Sequence, residues 1–188
     1  GAEVEGLYQY AGQSYVGRFE HAPGVNTCTE CHDAHTLAVD TDSCATCHGP
    51  GEPRDIRLSL DSRDYDGDGD TSEGIAAEIS TLREMLGAEI TAYAQTVAGT
   101  AIGYGEGYPY FFIDTNGDGE ISGEEGIFPN QYNAWTPRLL AAAYNYQFVS
   151  KDPGGYAHNP HYTIQALVDS IADMAEASGR PVPTMSRP

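Results

Sequence analysis

A chain of 188 residues makes one domain, or one domain with a small appendage. Asp and Glu number 28 against 9 Lys and Arg, a net charge of −19, which argues against nucleic acid and anionic membrane surfaces and for cations and basic partners. No stretch approaches the roughly 20 apolar residues of a membrane helix, so no membrane span is expected.

In chain order, residues 1–20 hold Tyr8, Tyr10, Tyr15 and Phe19 among Gly and Gln, an extended arm or short strands. The opening Gly1-Ala2-Glu3 reads as the mature end of a processed chain, with no signal peptide in view. Residues 21–52 carry Cys28-Thr29-Glu30-Cys31-His32 and Cys44-Ala45-Thr46-Cys47-His48, which use all 4 cysteines. Cys-x-x-Cys-His attaches c-type haem: the cysteines form thioethers and the histidine gives one axial ligand. A disulfide framework, a thioredoxin-like pair and structural zinc are the competing readings. None accounts for a histidine after both pairs, and four thiolates alone would complete a zinc site. The segment is poor in apolar residues, so two haems must form most of its core. Gly49-Pro50-Gly51 ends it.

An acidic loop follows from Asp55 to Glu73. Within it Asp64, Asp66, Asp68 and Asp70, with Gly69, begin like a twelve-residue calcium loop of the EF-hand type. Position 12 is Ile75, so Glu73 closes the site in this reading, with Glu78 as the alternative. Ile75, Ile79, Leu82, Leu86, Ile90, Tyr93 and Val97 step by three and four and mark one face of a helix, which Gly87 weakens. A Gly- and Tyr-rich link runs from Gly99 to Tyr110. The second acidic loop fits the template throughout: Asp114, Asn116 and Asp118 as donors, Gly119 at the turn, the Glu120 carbonyl, apolar Ile121, and Glu125 as the closing carboxylate. Calcium, one or two ions, is expected to pin these loops rather than to signal.

Thr136-Pro137 opens the next helix, through Leu139, Leu140, Ala143, Tyr144 and Phe148, and Asp152-Pro153-Gly154-Gly155 stops it. Asn159-Pro160 opens the last, with Ile164, Leu167, Val168, Ile171 and Met174 apolar and Gly179 past its end. The Pro-rich tail reads as flexible or packed on a neighbour. The expected fold is mainly α with much irregular coil and little β. It divides into an arm and dihaem segment (1–52) and a calcium-pinned helical part (53–188) within one integrated domain.

Of the 6 histidines, His32 and His48 are proximal ligands. His21, His35, His158 and His161 remain for the far faces of two irons. His35 is too near His32 to serve the same haem and is assigned to the second. His158 and then His21 compete for the first, and His161 ranks last. Two distal histidines would close both irons and leave electron transfer as their task.

Phe19-Glu20-His21, Cys28 to Leu37, Cys44 to His48, Trp135 to Leu140, Ala143 to Gln147 and Tyr156 to Tyr162 together resemble the multihaem c-type cytochromes of exported, bacterial anaerobic electron-transfer chains. The resemblance spans about residues 19–52 and 110–173. It implies a distal-ligand role for the histidine before Asn159-Pro160, and it often places Lys where His161 stands. Some members polymerise into extracellular haem filaments. The sequence thus predicts a dihaem electron carrier, not an enzyme, exported to the periplasm or cell exterior. Redox proteins or extracellular acceptors would be its partners, and a head-to-tail homopolymer is possible on the strength of its loose ends. A dihaem peroxidase or small reductase with one open iron is the alternative.

Overall fold

The computed structural model describes residues 5–57 and 62–188; the start of the arm (1–4) and residues 58–61 of the first acidic loop lie outside the described residues. The chain is mainly helical, with one short hairpin and much irregular backbone. Its core is a triangle of α2 (Ile75–Tyr93), α3 (Pro137–Lys151) and α5 (Pro160–Ala177), with the single turn α4 (Gly155–His158) between the last two. Leu82, Leu86, Leu139, Ile164, Leu167, Ile171 and Met174 meet there, fully buried. Gly87 has a packing reason: a Cβ there would lie 3.1 Å from the Tyr146 ring, so the missing side chain lets α3 close on α2.

The caps act as the sequence indicates. Thr136 Oγ1 accepts the Leu139 N–H and Asn159 Oδ1 the Tyr162 N–H, each followed by proline at the first helical position. Two faces differ from the expected stripes. The α-helix stops at Tyr93 and widens into a π turn, Ala94–Ala98, which carries Val97 off the face and leaves it 49% exposed. On α3 the alanines Ala141, Ala142 and Ala143 face inward, so Leu140 and Tyr144 point out. Two elements had no sequence signal. Helix α1 (Thr41–His48) carries the second cysteine motif, and the glycine-rich link forms an antiparallel hairpin of β1 (Ile102–Tyr104) and β2 (Phe111–Ile113). Ile121 of the second acidic loop packs on that hairpin where Gly103 has no side chain; a Cβ would fall 2.5 Å from it.

Helix α5 is buried on nearly every side because both ends of the chain lie along it. The arm is held by its polar residues. Tyr162 Oη accepts the Leu7 N–H, Gln165 Oε1 accepts the Val16 N–H, and Asn159 Nδ2 donates to the Gly17 carbonyl. The tail is not loose but packs on its own chain. Arg187 forms a two-pronged ion pair with Asp169 (2.8 and 3.0 Å), donates to the Ser14 carbonyl and lies over the Tyr15 ring. Gln165 Nε2 donates to the Pro188 carbonyl, and the Ser186 N–H to the Tyr65 carbonyl. These bonds hold the tail down in part because three of the groups they satisfy belong to the buried residues Asp169, Gln165 and Tyr65.

Candidate haem and cation sites

The N-terminal segment has no core of its own: among the described residues none between Tyr8 and Arg57 is buried. Its shape comes from backbone turns. Cys28–Glu30 forms a single 3-10 turn, with Glu30 Oε2 accepting the Asn26 and Thr27 N–H groups. The second motif lies in α1, capped by Asp40. Helical spacing puts Cys44 and Cys47 on one side. The four cysteines are not joined to one another in disulfides. The motifs are neighbours, since the Asp40 N–H donates to the Cys31 carbonyl, and burial followed by the nearby Cys44 pushes the Cys31 thiol up.

Four of the 6 histidines fall into two pairs. The His32 and His158 ring centres are 6.3 Å apart, and those of His21 and His48 are 5.9 Å apart. With metal–nitrogen bonds of about 2 Å and each ring centre roughly 1 Å behind its nitrogen, two imidazoles on opposite faces of one metal have centres about 6 Å apart. The tautomers fit as well. His32 Nδ1 lies 2.9 Å from the Leu37 carbonyl oxygen, and His158 Nδ1 lies 2.8 Å from Asp152 Oδ1. An acceptor at Nδ1 makes it the protonated nitrogen and Nε2 the ligand. Gly154 makes room for His158: a Cβ there would meet the ring at 2.6 Å. His21 follows Phe19, whose ring is 5.8 Å away, and precedes the tight turn from Ala22 to Val25. Thiols outside any disulfide, paired imidazoles and a segment lacking a core suit two thioether-linked haems.

The structure thus brings His158 to His32 and His21 to His48. His35, which spacing assigns to the second iron, is exposed, and its N–H donates to Asp33. His161 lies in the first turn of α5. Sequence reasoning did not reach Asp152, Gly154 or the Leu37 carbonyl. The only signal for the first two was Asp-Pro-Gly-Gly, which reads simply as a helix stop.

The two acidic loops fold as loops. In the second, Asp114 accepts the Gly117 and Gly119 N–H groups at 2.7 and 2.9 Å, and Glu125 is held by Thr115 and Ser122. These bonds, led by the Thr115 hydroxyl, hold the Glu125 carboxyl down to about 2. In the first, burial and then the charges of Asp66, Glu78, Asp68 and Asp70 push Glu73 up to about 7. Oxygen atoms of Asp64, Asp66 and Asp68 lie within 4.8 Å of one another, as do those of Asp66, Glu73 and Glu78. Such crowding of hard oxygen donors suits a divalent cation of the calcium type.

Comparison with known proteins agrees with the haem motifs. The chain is 28% identical over 200 residues to the C-type polyheme cytochrome OmcC of Geobacter sulfurreducens, covering 87% of this chain and 23% of that protein. It is equally similar to the C-type polyheme cytochrome OmcB of the same organism, covering 24% of it. The chain therefore spans about a quarter of the length of the curated relatives it matches. No protein-family model matches, and no solved structure does. These similarities support the resemblance to multihaem c-type cytochromes. No helix among the described residues is long and apolar enough to cross a membrane.

Proposed function

We propose that this chain is an electron carrier with two c-type haems, linked through Cys28 and Cys31 and through Cys44 and Cys47. His32 and His158 would hold the first, and His48 and His21 the second. When bound, each haem supplies an Fe(III)/Fe(II) couple. The protein's part would be to offer two imidazoles to each iron, with an acceptor at Nδ1 fixing the tautomer of His32 and His158, and so to keep both irons closed to exogenous ligands. The observation that carries this reading is the pair of histidine separations near 6 Å. A peroxidase or reductase needs an open iron, and a distal histidine for each motif speaks against it.

Calcium in the loops beginning at Asp64 and Asp114 braces the helical part. We place the carrier outside the cytoplasm, where Cys-x-x-Cys-His haem is attached, passing electrons to redox proteins or extracellular acceptors. A head-to-tail homopolymer rests on loose ends as its motive, and the tail and residues 6–17 of the arm pack against the helical body. The test is the visible spectrum of the reduced protein with and without carbon monoxide. An unchanged low-spin spectrum is expected. A carbon monoxide shift in one haem would overturn the closed-iron reading in favour of an enzyme.

A further inference from the structure

The two acidic loops share one hydrogen-bond scheme although only the second fits the calcium template to its end. Asp64 accepts the Gly67 and Gly69 N–H groups at 2.6 and 2.8 Å, as Asp114 does those of Gly117 and Gly119. Asp66 accepts from Asp68 and Asp68 from Asp70, as Asn116 does from Asp118 and Asp118 from Glu120. The match extends to the closing carboxylate. Glu125 Oε1 accepts the N–H groups of the second and third loop residues, Thr115 and Asn116, at 2.9 and 3.4 Å. In the first loop those residues are Tyr65 and Asp66. Their N–H groups donate, at 2.9 and 3.1 Å, to Glu78 Oε2 and not to Glu73.

A second observation points to a ligand. Asp66 is 4% exposed, and its Oδ2 has no hydrogen-bond partner among the described residues. Glu73 Oε1 is buried in the same condition. Both carboxylates present an oxygen within 4.8 Å of one on Glu78. Buried acceptors left unpaired beside other carboxylates are costly unless a cation meets them.

We propose that Glu78, delivered from the first turn of α2, is the closing carboxylate of the first cation loop, and that Arg57 positions it. The template is completed three residues late, by a helix instead of by the loop. Arg57 Nη1 donates to Glu78 Oε1 at 2.8 Å and to the Glu73 carbonyl, and Nη2 donates to the Arg63 carbonyl at 2.7 Å. It stands where Ser122 stands for Glu125, holding the second oxygen of the carboxylate. Glu73 is an additional donor at the rim. This inference rests on reading the first loop as a cation site.

The test is calcium titration of the haem-loaded protein by calorimetry, in a Glu125→Gln background that silences the second loop. One remaining calcium per chain is expected. Adding Glu78→Gln should weaken it on the order of 100-fold, and Glu73→Gln no more than about tenfold. Arg57→Lys should weaken it about tenfold with helix content unchanged, since one ammonium cannot reproduce three bonds. Because Glu78 is buried, Glu78→Asp provides a second measurement. It keeps the charge but shortens the reach, and should abolish the calcium-induced shift of the carboxylate infrared band. Loss of binding in Glu73→Gln with retention in Glu78→Gln would overturn the assignment. No calcium in the Glu125→Gln parent would instead overturn the cation reading of this loop.

Discussion

Asn159 and Gly17 are joined by a 3.1 Å hydrogen bond from the Asn159 side-chain amide to the Gly17 carbonyl. Asn159 follows His158, and Gly17 lies on the arm that leads to His21, so one buried amide supports both candidate distal histidines. Its oxygen meanwhile caps α5. Asn159→Ser keeps a cap and loses the tie, and should cost about 1 kcal/mol. Asn159→Ala loses both and should cost about 2 kcal/mol. Denaturant unfolding measures the costs. Conversion of haem from low to high spin should follow the tie, appearing in both variants.

The two histidine pairs predict which substitutions open an iron. His158→Ala and His21→Ala should each turn about half of the haem into a carbon-monoxide-binding form, and the double variant all of it. His35→Ala should leave the reduced spectrum unchanged. A spectrum altered by His35→Ala but not by His21→Ala would reverse the assignment of the second iron.

Gly154 and Gly155 are adjacent but not equivalent. A Cβ on Gly154 would fall 2.6 Å from the His158 ring, whereas one on Gly155 would make ordinary contact with Thr163 at 3.5 Å. Gly154→Ala should displace the ring, open the first iron as His158→Ala does, and cost about 1–3 kcal/mol. Gly155→Ala is the matched control and should keep both the spectrum and the melting temperature.

Alkaline pH should release the arm. Burial, then Asp169, pushes Tyr15 from the usual 10.0 up to about 12, and its hydroxyl oxygen accepts the Tyr10 N–H. A tyrosine raised in the fold favours folding while it stays neutral. Its contribution is whole below about 10 and is lost as pH climbs through about 12. Tyrosinate absorbance and the low-spin spectrum of the second haem should therefore change together in that window. Tyr15→Phe should remove one tyrosinate from that window and lower the pH-independent hold on the arm. Coincident transitions unaffected by Tyr15→Phe would assign the event elsewhere.

The parts of this fold that were legible in the sequence are those written in periodicity and caps. Helix α2 shows its face from Ile75 to Tyr93, and α3 and α5 show their starts in Thr136-Pro137 and Asn159-Pro160. Strands of three residues, as in β1 and β2, are too short to show alternation, and cysteines mask the helical character of α1. Buried polar groups were the larger gap. Gln165 and Asp169 look like the wet side of an amphipathic helix, yet they are covered by the arm and tail that they bind. That tertiary route carries His21 to His48, and no spacing rule along the chain expresses it. Glu78 was visible but out of register with the loop template, and only the fold shows which N–H groups it serves.

The absence of any buried residue between Tyr8 and Arg57 bears on maturation. The three-helix body carries the apolar surface that drives folding, whereas the cysteine segment buries no residue of its own and, on the proposed reading, would gain an interior from the haems it holds. On the proposed haem reading, a chain without haem is expected to keep its helical body and to be cut by proteases first between Tyr8 and Arg57, which limited proteolysis with and without haem would show.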